Sequence, residues 1–299
     1  MPGTIGPSSA TLYAGHTGAT MGDRRRGNRG AAVRLAAALV LLPLAVMQLA
    51  AGCTSGRDGD TARSSDNELG GDLHVLVAAS LLPVAEVLAG EFELLHPGLD
   101  VQIAGAGSSA LREQVLAGAP ADVFVPADPV HLDAVRDEVG LAHAPVVVAR
   151  NSLVLAVPAG NEAGVTSLAD LARPELLIGL CAPEVPCGAL ARKGLARAEI
   201  EPVPDSDEPN VRVLTTKLAA GELDAAVVYA TDTASNRQSG SHGGAIVSLG
   251  WTAGTAPQAS YAAAVLSDAP NPAAATAFVA FMRTDAARRV LADFGFVVP

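Results

Sequence analysis

Short apolar runs alternate along most of the chain with longer stretches whose apolar positions recur at helical spacing. The short runs predict buried strands at residues 73–79, 100–104, 122–125, 145–149, 153–157, 176–180, 224–229, 245–249 and 260–266. The longer stretches predict helices at about residues 81–95, 110–117, 129–139, 168–172, 188–198, 211–220 and 272–293, with a break near Thr284. Gly-rich residues 105–109 and Pro-rich residues 201–210 predict a turn and a loop. Strands that alternate with helices indicate an α/β fold with mostly parallel sheets.

The N-terminal segment has a different pattern, in which five arginines precede an apolar run at residues 35–47. A membrane-spanning helix needs about 20 apolar residues, whereas the apolar region of a signal peptide spans about 7–15. Small residues lead from this run to Cys53, which is typical of a bacterial lipobox. We therefore predict a signal peptide at residues 1–52, a lipid-modified Cys53 and a flexible polar tether at residues 53–71. A plain secretory signal with an incidental cysteine is the alternative.

The composition is that of a folded chain, because 49% of the 299 residues are apolar and 17% are charged. These proportions exclude a disordered or collagen-like polypeptide. The formal net charge is −11, and since residues 1–52 carry +4, the remainder carries −15. An acidic chain without a basic stripe is not expected to bind nucleic acid. Taken alone, the acidity also argues against a small anion as the ligand.

Two cysteines remain once Cys53 is assigned to the lipid anchor. Cys181 and Cys187 lie six positions apart, and an even pair in an exported chain favours a disulfide. Two free buried thiols are the alternative. A metal site is disfavoured, because the six histidines are scattered along the chain without ligand spacing.

Small or polar residues recur where predicted strands lead into predicted helices, which is where open α/β sheets bind ligands. Ser80 follows the first strand, and Ser108 follows the second. Cys187 and Val211 begin two later helices. Helix N-termini present unpaired N–H groups and about half a positive charge, so together they suit a small anion. Each serine taken alone is better explained as a helix N-cap, and it is their combination at successive turns of an exported chain that favours a ligand site.

Nucleotide-binding and hydrolase sites are less well supported by the sequence. Residues 105–110 fit the dinucleotide-binding pattern G-x-G-x-x-G/A, but no acidic residue ends the next strand, which Asp122 begins. The chain contains no P-loop and no G-x-S-x-G motif. An exported serine hydrolase would also need a histidine and an aspartate beside its serine, and the sequence does not bring such residues together.

A set of short motifs, in order along the chain, resembles the molybdate-binding proteins of ABC transporters. The resemblance extends from about residue 73 to residue 299 and is carried by Val75-Leu76-Val77-Ala78-Ala79-Ser80-Leu81, Gly107-Ser108-Ser109, Gly118-Ala119-Pro120-Ala121-Asp122-Val123-Phe124, Asn151-Ser152-Leu153-Val154, Val185-Pro186-Cys187-Gly188, Ala226-Val227-Val228-Tyr229 and Phe294-Gly295-Phe296.

The resemblance implies a two-lobed type II periplasmic-binding-protein fold that closes on an oxyanion. Lobe I would comprise residues 72–152 and 255–299, and lobe II residues 153–254, with two strands crossing between them. By resemblance, side chains of the first lobe and backbone N–H groups of the second contact the anion, together with one tyrosine hydroxyl. The positions that match those contacts here are Ser80, Ser108, Cys187, Val211 and Tyr229.

The resemblance also implies the biological role. The ligand would be molybdate or tungstate, held as an oxyanion with no cofactor and no direct metal ligand. The protein would be a monomer outside the cytoplasm, lipid-anchored to the cell membrane, and would deliver the anion to the permease and ATPase of an ABC importer. It would not be an enzyme. A receptor for another oxyanion or a small organic anion, and an exported serine hydrolase, are the alternatives.

Overall fold

The computed structural model describes residues 69–238 and 246–299. The predicted signal peptide, Cys53 and all but the end of the predicted tether lie outside these residues. Within the described part of the chain, no helix is both long enough and apolar enough to cross a membrane.

The first part of the chain forms three parallel strands connected by helices. β1 pairs with β2 on one side and with β3 on the other, and each strand leads into a helix. A 3-10 turn at Ala79–Leu81 joins β1 to α1. The elements are β1 Gly70–Ala78, α1 Leu82–Leu95, β2 Gly98–Ala106, α2 Ser108–Leu116, β3 Val123–Val125 and α3 Pro129–Glu138.

The long strand β4, Val146–Pro158, connects the two parts of the sheet. Its first half pairs antiparallel with β9, Gln258–Val265, while its second half pairs antiparallel with later strands. The partner changes between Ser152, which lies opposite Gln258, and Leu153, which lies opposite Tyr229. A single strand therefore belongs to both halves of the structure, and β9 returns the chain to the first half, where it pairs with β3.

The second part of the chain repeats the strand-to-helix pattern. β5 pairs in parallel with β6 and β7, and a 3-10 turn at Leu168–Ala172 precedes β5. The elements are β5 Ile178–Cys181, α4 Pro186–Arg197, β6 Ser206–Glu208, α5 Val211–Ala219, β7 Ala225–Tyr229, α6 Ala230–Gln238 and β8 Ile246–Gly250.

Two C-terminal helices pack back onto the first part. α7, Pro272–Phe281, and α8, Asp285–Asp293, are separated at Thr284, whose hydroxyl caps α8 by accepting from the Ala287 N–H. The break predicted at Thr284 is thus confirmed. Phe92 of α1 lies edge-on against Phe278 of α7, with ring centroids 5.2 Å apart. This contact buries the apolar faces of both helices against the sheet.

Several local predictions were wrong. Residues 145–149 and 153–157 were predicted as separate strands, yet Val146–Pro158 form the single strand β4, in which the buried Asn151 has a polar partner: its Nδ2 donates to the Thr231 hydroxyl at 2.7 Å. Of the turn predicted at residues 105–109, only Gly107 lies outside a strand or helix, because β2 ends at Ala106 and α2 begins at Ser108. The predicted loop at residues 201–210 contains β6, and α6 was not predicted.

The sheet is mixed. Its parallel pairs lie on either side of the antiparallel ladders that β4 and β9 form. The 3-10 turn before α1 and the starts of α2, α4 and α5 line a common space at the carboxyl ends of the parallel strands.

Candidate functional site

A small cavity lies where the 3-10 turn before α1 meets the starts of α2, α4 and α5. It brings together all five residues that the sequence analysis selected for anion contact. Residues from the β1–α1, β2–α2 and β3–α3 junctions form one wall, and residues from the starts of α4 and α5 and the end of β7 form the other. The lining residues are Ala78, Ala79, Ser80, Ala106, Gly107, Ser108, Ala127, Val185, Pro186, Cys187, Asn210, Val211 and Tyr229.

Ser80 lies in the 3-10 turn between β1 and α1 and is 6% exposed. Its Oγ is 2.8 Å from the hydroxyl of Tyr261, a fully buried residue of β9, and either oxygen is able to donate. Ser80 makes no side-chain capping bond to the helix that follows. Ser80 therefore lines the cavity, and Tyr261 contacts its hydroxyl from behind the cavity wall.

Ser108 is the first residue of α2 and is 1% exposed. Its Oγ accepts a hydrogen bond of 3.1 Å from the backbone N–H of Ala127. An amide is a donor only, so the hydrogen of the Ser108 hydroxyl remains available to another acceptor. The side chain is not a helix cap, because the residue before α2 is Gly107 and no side-chain cap bond is present there.

The starts of α4 and α5 form the opposite wall. Cys187 is the second residue of α4, after Pro186, and Val211 is the first residue of α5. The Asn210 side chain caps α5 by accepting from the N–H groups of Arg212 and Val213, at 3.0 and 3.1 Å. Because the first N–H groups of a helix have no partner within it, the Cys187 and Val211 amides are available donors at this wall.

Tyr229 ends β7 and is buried, with 2% of its surface exposed. Its hydroxyl oxygen is inaccessible to solvent and has no hydrogen-bond partner among the described residues. Burial raises the pKa of Tyr229 well above its usual range, with the neighbouring Tyr261, Asp232 and Asp128 adding to the effect. The hydroxyl thus keeps its proton, and a buried donor without an acceptor costs about 1–3 kcal/mol until something fills the site.

A disulfide braces the α4 wall. Cys181, the last residue of β5, is bonded to Cys187 with their Cα atoms 5.8 Å apart. The loop inside the bridge is so tight that a Cβ on Gly188 would collide with the carbonyl oxygens of Cys181 and Ala182. The Arg192 guanidinium adds a hydrogen bond of 2.6 Å to the Cys181 carbonyl. These constraints fix the backbone that presents the Cys187 amide.

The cavity is lined by neutral groups. No Lys, Arg, His, Asp or Glu is among the described residues that line it. A buried acid behind the cavity is Asp232, in the first turn of α6, whose Oδ2 accepts from the Tyr229 N–H at 3.0 Å. Burial raises the pKa of Asp232 to about 7, although the Tyr229 N–H and the charge of Arg212 act in the opposite direction. The side-chain and backbone groups identified in the cavity are mostly hydrogen-bond donors.

The described residues show no arrangement suited to a serine hydrolase or to a metal site. His131 bonds through Nδ1 to Asp128 at 2.8 Å, and His74 lies 3.4 Å from Asp122. Neither histidine is hydrogen-bonded to Ser80 or Ser108, whose partners are Tyr261 and Ala127. Within the described ranges, no group of three or more His, Cys, Asp or Glu residues is arranged to hold a metal ion.

Tyr261 is the neighbour of the site that the sequence analysis missed. It lies in the middle of β9, far from every strand-to-helix turn, and it meets Ser80 across 181 positions of sequence. The available signal was slight: it is the only aromatic residue in a strand otherwise made of small residues, Val265 and Gln258.

Comparison with known proteins places the chain among solute-binding proteins. A family model described as bacterial extracellular solute-binding protein matches residues 73–297. The molybdate-binding protein ModA of Mycobacterium tuberculosis (strain H37Rv) is 36% identical over 230 residues, which are 75% of this chain and 84% of that protein. Bacillus subtilis YvgL, named as an ABC transporter substrate-binding lipoprotein, is 28% identical over 86% of this chain and 96% of its own length.

A solved structure gives the same fold. The Azotobacter vinelandii periplasmic molybdate-binding protein matches with a TM-score of 0.60 at 21% identity, over 76% of this chain and 99% of that one. The predicted α/β fold of the two-lobed periplasmic-binding type is thereby confirmed. The relative at 36% identity confirms the resemblance drawn from the sequence motifs.

Proposed function

The chain belongs to the family of bacterial extracellular solute-binding proteins, and from that premise we propose that it binds molybdate, and also tungstate, in the cavity between its two lobes. It would act outside the cytoplasm and deliver the anion to the permease and ATPase of an ABC importer. The ligand-contacting groups would be the hydroxyls of Ser80, Ser108 and Tyr229 and the backbone N–H groups of Cys187 and Val211.

The observation that carries this proposal is the buried Tyr229 hydroxyl, which lines the cavity and lacks a partner among the described residues. An oxyanion would accept its hydrogen and so remove the cost of leaving a buried donor unpaired. The starts of α2, α4 and α5 converge on the same space and favour a negative ligand. Hydrogen bonds to a charged ligand contribute roughly 1.5–3 kcal/mol each, so neutral donors suffice without lysine or arginine.

The same donor set supports selectivity. Phosphate carries a proton at neutral pH and needs an acceptor for it, which a site made of donors does not supply. Sulfate carries no proton but is smaller than molybdate, so the donors would lie too far from its oxygens. Size does not separate molybdate from tungstate, and we expect both to bind.

The acidity of the chain is compatible with an anion ligand, because the site is made of neutral donors and bulk charge is screened beyond a Debye length of about 8 Å. Selectivity would then come from geometry and not from a positive field.

We infer a binding protein and not a serine hydrolase. Ser80 is hydrogen-bonded to Tyr261, and Ser108 accepts from a backbone amide, so within residues 69–238 and 246–299 neither serine has a histidine to act as a general base. A hydrolase would cleave ester substrates and lose that activity when Ser80 or Ser108 is replaced by alanine.

The lobe boundaries and the anchor are part of the proposal. Lobe I would comprise residues 72–152 and 255–299, and lobe II residues 153–254. The change of β4 partners between Ser152 and Leu153 supports the first boundary. The similarity to a protein named as a lipoprotein supports a lipid-modified Cys53 that holds the monomer at the cell membrane.

Thermal unfolding with a panel of molybdate, tungstate, sulfate and phosphate tests the ligand. Binding to the folded state should stabilise the protein by about 2.7 kcal/mol at 100 times the dissociation constant. We expect a rise in Tm with molybdate and tungstate and little change with sulfate or phosphate. No rise with either of the first two would contradict the proposal, and a rise with sulfate alone or with a small organic anion would reassign the ligand.

A further inference from the structure

Tyr261 is buried directly behind the cavity, and no motif in the sequence indicates a role for it. It is fully buried on β9, opposite Ala149 of β4, and its hydroxyl lies 2.8 Å from the Ser80 Oγ. Its ring is held edge-on against Phe296, with centroids 5.6 Å apart, and lies 6.3 Å from the ring of Tyr229. The hydroxyl is therefore presented to Ser80 by a side chain that has little freedom to move.

The direction of the Ser80–Tyr261 hydrogen bond decides what Ser80 offers to a ligand. A serine hydroxyl has one hydrogen and two lone pairs. If Tyr261 donates to Ser80, the Ser80 hydrogen is free to point at the anion. If Ser80 donates to Tyr261, Ser80 offers the cavity only lone pairs, which suit a ligand that carries a proton.

The surroundings favour donation by Tyr261. Its hydroxyl is hydrogen-bonded to the Ser80 Oγ at 2.8 Å. A phenol hydroxyl is more acidic than an alkyl hydroxyl and is the stronger donor of the two, so donation from Tyr261 to Ser80 is the favoured direction. Burial raises the pKa of Tyr261 well above its usual range, so the hydroxyl keeps its hydrogen.

Ser108 offers an internal comparison. Its Oγ accepts from the Ala127 amide, a donor that cannot reverse its role. Both serines of the first wall thus receive a hydrogen bond from behind. The donor at Ser108 is fixed by the backbone, whereas the donor at Ser80 is a hydroxyl that a single substitution removes.

We propose that Tyr261 is a positioning residue that holds the Ser80 hydroxyl as a donor to the bound anion and thereby excludes oxyanions that carry a proton. This inference rests on the proposed function, because it concerns how the same cavity selects its ligand. Tyr261 would not touch the anion and would act only through Ser80.

Tyr261→Phe tests the inference, because it removes the hydroxyl and keeps the ring that packs on Phe296. Affinities for molybdate, sulfate and phosphate are measured by calorimetry or competition at pH 8, where phosphate carries one proton and the other two anions carry none. We expect molybdate affinity to fall roughly 5- to 30-fold. Sulfate should weaken by the same factor, while phosphate should weaken less or bind more tightly. A general loosening of the site would leave the phosphate-to-molybdate ratio unchanged and would overturn the inference.

A double-mutant cycle with Ser80→Ala tests whether Tyr261 acts through Ser80. Tyr261→Phe added to Ser80→Ala should change molybdate affinity by less than about 2-fold, because the residue it positions is gone. Losses that multiply would overturn the inference, since Tyr261 would then act independently. Ser80→Ala alone provides a second arm if Tyr261→Phe folds poorly: it should weaken molybdate more than phosphate, and equal losses would overturn the inference.

The outcomes also separate this inference from the proposed function. A wild-type protein that binds molybdate, with a Tyr261→Phe variant unchanged in affinity and in selectivity, leaves the proposed function standing and removes the role of Tyr261. A wild-type protein that binds none of the three anions contradicts the proposed function itself.

Discussion

Gly107, which lines the cavity, lies against the carbonyl oxygen of Pro209, with no room for a side chain between them. A Cβ built on Gly107 would fall well inside van der Waals contact with the Pro209 oxygen. Gly107 has φ −58° and ψ 136°, which any residue adopts without strain. Glycine is therefore needed here for close approach alone, and under the proposed boundaries the two residues belong to different lobes.

Gly107→Ala should weaken anion binding by about 1–3 kcal/mol, because the added methyl group would hold the lobes apart. Hinge opening in the unliganded protein would separate Gly107 from Pro209, so unfolding without ligand should change by no more than about 0.5 kcal/mol. Calorimetry gives the affinity, and small-angle X-ray scattering should show less compaction with molybdate than in wild type.

Gly90→Ala is the matched control for that variant. A Cβ at Gly90 in α1 meets nothing within 4 Å, so alanine should stabilise the helix by up to about 1 kcal/mol and leave the affinity unchanged. Wild-type affinity and wild-type compaction in Gly107→Ala would show that the Gly107–Pro209 contact does not limit closure.

Tyr229→Phe should separate stability from binding. The unliganded protein should unfold at the same or a slightly higher temperature, because the substitution removes a buried hydroxyl that has no partner among the described residues. Molybdate affinity should fall by about 1–3 kcal/mol, because a donor to the anion is lost. Thermal unfolding and calorimetry on the same preparation measure the two effects.

Ser108→Ala is the variant to compare with Tyr229→Phe. It removes the acceptor of the buried Ala127 N–H, so it should lower both the affinity and the stability without ligand, each by about 1–3 kcal/mol. If both variants bound molybdate with wild-type affinity, neither Tyr229 nor Ser108 would belong to the proposed site.

Most elements were predictable because their signals are local. Helices that begin at Pro129 or Pro272 and strands made of consecutive aliphatic residues carry their own patterns. β4 was predicted as two strands because the polar residue Asn151 interrupts its apolar pattern. Only the hydrogen bond to the distant Thr231 makes that position suitable for a strand. α6 lacks apolar periodicity, so its sequence favours no helix.

The residues of the site also divide into those with a local sequence signal and those without one. Ser80, Ser108, Cys187 and Val211 lie at helix starts, where position along the chain already indicates an available donor. Tyr261 lies in a strand and contacts Ser80 only after the chain has folded. Residues that act through another side chain leave little trace in a single sequence, because their partner is set by tertiary structure.

Opening the Cys181–Cys187 bridge should weaken binding through the backbone of α4. Replacing both cysteines by alanine should lower stability by about 2 kcal/mol, as expected for a short closed loop. The Cys187 side chain is not proposed to touch the anion, so any loss of affinity would come from movement of the Cys187 amide. Calorimetry with the variant, and with wild type in reductant, measures this loss. Unchanged affinity in both samples would show that the turn holds its shape without the bridge.

Asp232 should make stability fall as pH rises toward 7. Its pKa is about 7 in the folded protein, mainly because burial disfavours the carboxylate, against about 3.9 in an unfolded chain. Between these two values the folded state binds a proton that the unfolded state does not. The contribution of this group is therefore fully present below pH 4 and is lost as pH rises through 7, by about 4 kcal/mol at most.

Asp232→Asn removes this titration and keeps an oxygen that accepts from the Tyr229 N–H. Tm measured from pH 4 to pH 8.5 should differ little between variant and wild type at pH 4, increasingly favour the variant between pH 4 and pH 7, and differ by a constant amount above pH 7. Molybdate affinity should follow the same sign, falling in wild type as a negative charge forms behind Tyr229 and staying flatter in Asp232→Asn. Parallel pH profiles for the two proteins, in stability and in affinity, would show that Asp232 does not titrate in this range.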